Sequence, residues 1–159
     1  MRNAQGENMA PKKEIPKENY TPIVKIAIEK EDFVHAGEAS SQIKERLLKL
    51  GYTPQAIRRV AIASFEAELN IVIHSLGGEI EAAIRPQTVR IIARDRGPGI
   101  KDIPQAMQKG FSTAPPHIQQ MGFGAGMGLP NMEHCCDEFQ IQSEPGEGTT
   151  VTMVIREVR

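Results

Sequence analysis

The sequence predicts an α/β two-layer sandwich, with a mixed, mainly antiparallel sheet covered on one face by helices. Three observations lead there. Apolar segments of strand length fall in two adjacent pairs, joined by Pro86-Gln87 in one and Pro145-Gly146-Glu147-Gly148 in the other. Strands so paired form antiparallel hairpins. Stretches of helical spacing precede and separate these pairs, and packing helices on one side of a sheet buries both kinds of apolar face. Finally, 159 residues at 40% hydrophobic and 25% charged is an ordinary composition for one domain with a sizeable core.

Residues 1–20 are polar, carry Pro11 and Pro16 among lysines, and offer little to bury, so a flexible tail is expected ahead of a domain over 21–159. From Thr21 a first strand runs through Val24, Ile26 and Ile28 until the charged Glu29 to Asp32 end it. Ala39 to Leu50 carries Ile43, Leu47 and Leu48 at helical spacing, with Gly51 as its stop. Thr53-Pro54 starts the next helix, because Thr caps free amides and Pro tolerates the first helical position. That helix is long, passing Ile57, Val60, Ala61, Phe65, Leu69, Val72 and Ile73 before Gly77-Gly78. Glu79 to Arg85 and Thr88 to Asp95 make the first hairpin. Arg96 to Gly128 is loop-rich, with one short helical segment at Ile103 to Gln108, and a loop this long in a compact domain points to function. Leu129 to Glu138 is the third principal helix, and Phe139 to Ser143 with Thr149 to Val158 form the second hairpin.

Charge narrows the function classes. Lys+Arg 19 against Asp+Glu 20 leaves a net charge of −1, without the clustered basic surface that nucleic acid or an acidic membrane would require. No apolar run is long enough to span a bilayer, and the N-terminus lacks a signal-peptide core. Cys135 and Cys136 are adjacent, which disfavours a disulfide between them and suits reduced thiols in the cytoplasm. His134 beside them invites a metal reading, yet three consecutive helical residues do not converge on one ion, so helix packing is expected.

The chemistry-bearing residues fall in two places. On the long helix Glu66, Asn70 and His74 recur every four residues and share one stripe. Asn70 can offer a carbonyl oxygen to a hard cation such as magnesium, with Glu66 one turn away as a base, although a solvated stripe of hydrogen-bonded residues would look the same. The other place is the C-terminal part of the chain, where nine of the 14 glycines lie (Gly97, Gly99, Gly110, Gly122, Gly124, Gly126, Gly128, Gly146 and Gly148). Asp95 closes a strand and opens Asp95-Arg96-Gly97-Pro98-Gly99, where a carboxylate can accept from a ligand base and glycines let the ligand approach, or a simple tight turn results. Met121 to Leu129 sets glycines at alternate positions just before a helix, a cradle of backbone amides suited to phosphate. A dinucleotide fingerprint fails here, because no strand leads directly into the loop. Thr149 and Thr150 follow at a strand start.

With these residues in hand, the sequence resembles the GHKL (Bergerat-fold) ATPase superfamily, and within it the bacterial anti-sigma factor and switch-protein serine kinases. The resemblance covers about Ile23 to Ile155 and rests on an ordered set: Glu66-Ala67-Glu68-Leu69-Asn70 with His74, then Asp95-Arg96-Gly97-Pro98-Gly99, then Gly122-Phe123-Gly124-Ala125-Gly126-Met127-Gly128-Leu129, and a terminal Gly148-Thr149-Thr150. It implies that Asn70 coordinates the magnesium of bound ATP and that Glu66 is the general base or orients the attacking hydroxyl. Asp95 would hydrogen-bond the adenine amino group, with Gly97 and Gly99 shaping that wall. Gly110 to Met121 would be an ATP lid containing Ser112 and Thr113. Gly122, Gly124, Gly126 and Gly128 would give amides to the phosphates beside Leu129, and Thr149 or Thr150 would lie near adenine.

The function this implies is a protein serine/threonine kinase that phosphorylates a STAS-like antagonist protein and regulates transcription by partner switching. A homodimer is implied, as is a sigma-factor partner for the anti-sigma subtype. Two other readings compete. One is a nucleotide-dependent binding module that transfers no phosphate. The other is a detached histidine kinase catalytic domain, which needs a phosphoacceptor helix pair; His35, followed by Ala36 and Gly37, is a poor match.

Overall fold

A computed structural model describes residues 19–112, 114, 116 and 127–158. In chain order the elements are β1 (Thr21–Ile28), α1 (Glu38–Lys49), α2 (Pro54–His74), β2 (Gly78–Arg85), β3 (Thr88–Asp95), a single turn α3 (Ile103–Ala106), α4 (Gly128–Cys135), β4 (Glu138–Glu144) and β5 (Gly148–Arg156). The strands form one sheet in the order β1-β2-β3-β5-β4. Among the described residues every pairing is antiparallel, as the mainly antiparallel expectation has it, and no parallel pair occurs. The reason lies in the connections: the helices linking β1 to β2, and the long excursion from β3 to β5, each return the chain in the opposite direction.

Alternation along the strands sends one set of side chains to the helices. Ile80 and Ala82 of β2, Val89, Ile91 and Ala93 of β3, and Val151, Met153 and Ile155 of β5 meet Ile43 and Leu47 of α1, Val60, Ala67 and Ile71 of α2, and Met132 of α4. The opposite face carries charge, with Arg94 paired to Glu79 at 3.2 Å and to Glu81 at 3.6 Å. Tyr20, expected within the tail, stacks there under Arg85 and Arg90, 4.7 and 4.3 Å from its ring centre.

Local signals set the helix ends. Thr53 caps α2 by accepting the N–H of Ala56 at 3.3 Å, and Pro54 occupies the first turn. Gly51 follows α1 in the left-handed region, at φ +80°. The start of α1 is different, because its N-cap Gly37 has no side chain to offer. The buried carboxylate of Glu68 accepts instead from the N–H groups of Gly37 and, at 2.9 Å, Ala39.

The helix expected over Leu129 to Glu138 is shorter, ending at Cys135. Asp137 N–H bonds the Val154 carbonyl at 2.8 Å and Glu138 pairs with Val154, so sheet formation takes the last residues. Arg59 of α2 fastens this corner, donating to the Cys135 carbonyl (3.0 Å), the Arg156 carbonyl (3.1 Å) and Asp137 Oδ2 (3.0 Å). Cys135 is buried and burial pushes the Cys136 thiol up to about 12, so both stay protonated in the packing between α4 and the sheet. Among the described residues no helix is long and apolar enough to cross a membrane.

Candidate functional site

α2 turns its Glu66, Asn70 and His74 stripe away from the sheet core and toward a cleft of about 300 Å³. The strand ends at Asp95 and Thr149, the turn at Pro98 to Ile100, α3, and the first turn of α4 close the other sides. Ala93, Val151, Ile71 and Met132 give it an apolar floor. A mostly apolar cleft with a few convergent polar groups is the usual form of a small-molecule site.

At one end the polar group is Asp95. Its Oδ1 accepts the Thr149 N–H at 3.1 Å, which ties the end of β3 to the start of β5. Burial raises the Asp95 pKa above the ordinary carboxylate range, and the Thr149 bond opposes this. The approach of the two strands demands glycine at position 148: φ is +140°, and a Cβ there would come 2.1 Å from the Asp95 carbonyl oxygen. Behind the acid, Ser143 Oγ accepts the Ile100 N–H at 2.7 Å and lies 2.9 Å from the Thr149 hydroxyl, holding the turn after Asp95 to the second hairpin.

At the other end α4 lies antiparallel against α2. Arg59 meets Cys135, the Asn131 amide donates to Glu66 Oε1 at 3.3 Å, and Gly128 faces Asn70. A Cβ on Gly128 would stand 3.1 Å from Asn70 Oδ1 and 3.3 Å from Glu66 Oε2. The missing side chain therefore leaves both oxygens uncovered at the cleft. Burial lowers the His74 pKa, which keeps this imidazole neutral near pH 7.

The structure brings Glu66, Asn70, His74, Asp95, Gly99, Ser112, Gly128, Leu129 and Thr149 to the one cleft. Gly97 stands behind it, packed on Ser75 and 3.4 Å, measured from its Cβ position, from Asp95 Oδ1. Thr150 pairs with Arg94 and Gln142. As the next residue along β5 from Thr149, it projects to the opposite face of the sheet, away from the cleft. Thr113, Gly122, Gly124 and Gly126, with most of the expected lid, lie outside the described residues. His35 precedes α1 in a loop, its Nδ1 2.9 Å from Asp32 Oδ2, and not on a helix pair of the kind a phosphoacceptor needs.

Sequence reasoning missed Asn131 and Ser143, which touch the predicted residues without belonging to any motif. The spacing of Asn131 one turn after Gly128 was the available signal for the first. Glu68, read within the same short motif as Glu66 and Asn70, points the other way and caps α1.

A family model described as histidine kinase-, DNA gyrase B-, and HSP90-like ATPase matches residues 56–159. Among relatives, the chain is 35% identical over 121 residues to serine/threonine-protein kinase RsbT of Bacillus subtilis, covering 73% of this chain and 85% of that one. It is 32% identical over 126 residues to an anti-sigma F factor of Pasteuria penetrans, covering 63% and 81%. A crystal structure of the RsbU and RsbW domains of a Mycobacterium tuberculosis protein superposes with a TM-score of 0.55 at 23% identity. That match covers 87% of this chain and 34% of the solved one, and shows a shared fold. With the family model matching residues 56–159, well over half of the chain, the protein belongs to the histidine kinase-, DNA gyrase B-, and HSP90-like ATPase family.

Proposed function

We propose that this chain is an ATP-dependent serine/threonine protein kinase of the anti-sigma type, which phosphorylates a STAS-like antagonist protein and controls transcription by partner switching. The observation that carries the reading is the meeting of Glu66 and Asn70 with the glycine start of α4, across one cleft from Asp95. The similarity to a named serine/threonine kinase and to anti-sigma F factors supports it.

Each residue then has a task. Asp95 accepts from the adenine amino group while Thr149 steadies the acid. Asn70 Oδ1 is a hard oxygen donor, and magnesium, which completes its shell with phosphates and water, fits so small a set. When bound, the ion would neutralise phosphate charge. Glu66 takes the proton of the substrate Ser or Thr hydroxyl as its oxygen bonds to the γ-phosphorus. The bond from that phosphorus to the β–γ bridging oxygen breaks, and ADP leaves. Such transfer depends on positioning and charge more than on covalent help, which suits a site with one base. The sigma-factor partner and the homodimer belong to the same proposal.

The test is incubation with labelled ATP, magnesium and STAS-like proteins from the same genome. Label is expected on a Ser or Thr of one of them, and Glu66→Gln should still bind ATP while transfer falls at least a hundredfold. Wild-type protein that binds ATP and labels none of these proteins would leave the nucleotide-dependent binding module as the reading.

A further inference from the structure

Asn131 stands out because the motifs do not account for it and because it touches the one carboxylate on which transfer depends. Its amide donates to Glu66 Oε1 at 3.3 Å, from a half-buried position on the face of α4 that looks at α2. Gly128, one turn earlier on that face, leaves Glu66 Oε2 open toward the cleft. The two oxygens thus have different surroundings. One is held by an amide, and the other faces the place where a substrate hydroxyl would arrive.

Fastening α4 to α2 does not require this contact. Arg59 already makes bonds to the Cys135 carbonyl, the Arg156 carbonyl and Asp137 at the far end of the helix. The choice of side chain is informative as well. A Lys or Arg at 131 would pair with the carboxylate and draw charge away from its task. An aliphatic residue would leave the carboxylate free to rotate about its side-chain torsions. A neutral amide fixes the orientation and leaves the charge in place.

From this geometry we infer that Asn131 is a positioning residue for phosphoryl transfer, which holds Glu66 Oε1 so that Oε2 presents its lone pair to the substrate hydroxyl. The inference rests on the kinase reading given above.

The experiment compares wild type, Asn131→Ala, Asn131→Gln, Glu66→Ala and the Glu66→Ala/Asn131→Ala double variant, with thermal melts confirming that each folds. Asn131→Ala is expected to lower kcat for protein phosphorylation at least tenfold while the KM for ATP stays within twofold, and Asn131→Gln to recover part of the loss. In the Glu66→Ala background the same substitution should change residual kcat less than twofold, because its effect runs through the carboxylate. In parallel, the Asn131 side-chain amide resonance should shift when Glu66 is replaced. A wild type that transfers phosphate while Asn131→Ala matches it in kcat, or loses kcat equally in both backgrounds, overturns the inference alone. Wild-type protein that transfers no phosphate overturns the kinase reading and this inference with it.

Discussion

The Glu68 carboxylate accepts the Ala39 N–H at 2.9 Å, so a side chain midway along α2 caps the first turn of α1. Two neighbours in sequence, Glu66 and Glu68, therefore serve different ends: one faces the cleft and the other is buried under α1. The helix that lines the cleft is anchored through the same turn that faces it.

Replacing Glu68 with Ala should cost about 2 kcal/mol in urea unfolding, since it strips two amides of their acceptor in a buried place. Glu68→Gln should cost less. Burial raises the Glu68 pKa, outweighing the two amide bonds that lower it. For a carboxylate raised in the folded state, the stabilising contribution is full below the unfolded pKa and fades as pH climbs through the folded value. Wild type should therefore gain on Glu68→Gln as pH falls through the carboxylate range, and a constant difference between them would contradict this.

Gly128→Ala places a methyl about 3 Å from Asn70 Oδ1 and Glu66 Oε2. Either α4 backs off by a few tenths of an ångström or the two side chains turn. Calorimetry should show ATP affinity reduced about tenfold or more, with unfolding free energy changed by less than about 1 kcal/mol because alanine favours the helix.

Asp95→Asn keeps an oxygen for the Thr149 N–H and removes a carboxylate whose burial disfavours its charge. The variant should melt at or above the wild-type temperature near pH 7. Its preference for ATP over GTP should collapse, since an amide can present a donor as readily as an acceptor. Retained selectivity would remove Asp95 from the adenine end of the cleft.

Cys136, pushed up to about 12, holds almost no thiolate at neutral pH. A thiol-reactive disulfide reagent at pH 8 should label neither cysteine at the rate of a free thiol until the protein is unfolded. Prompt labelling of native protein would show that the corner fastened by Arg59 opens readily.

Much of this arrangement could be read from residue types because local signals agreed with the fold. The Thr53-Pro54 start, the Gly51 stop and both hairpin turns stand where their chemistry puts them. The cleft was legible for a related reason: Glu66, Asn70 and His74 repeat at one helical turn, and Asp95 ends a strand. What escaped depends on contacts between distant segments. The end of α4 is decided by β5 taking up Asp137 and Glu138, and the direction of Glu68 by the bare N-terminus of α1. No periodicity within one segment encodes these.

The adjacency of β3 and β5 in the sheet has an evolutionary consequence. Ala93 pairs with Val151 directly, so everything between them, including α3, the approach to α4 and the second hairpin's first strand, is a long excursion whose ends are already pinned. Closing a loop costs entropy only as the logarithm of its length, about 0.6 kcal/mol for each doubling. Insertions between α3 and α4 are thus cheap for folding, and one scaffold can vary that connection without renegotiating its core.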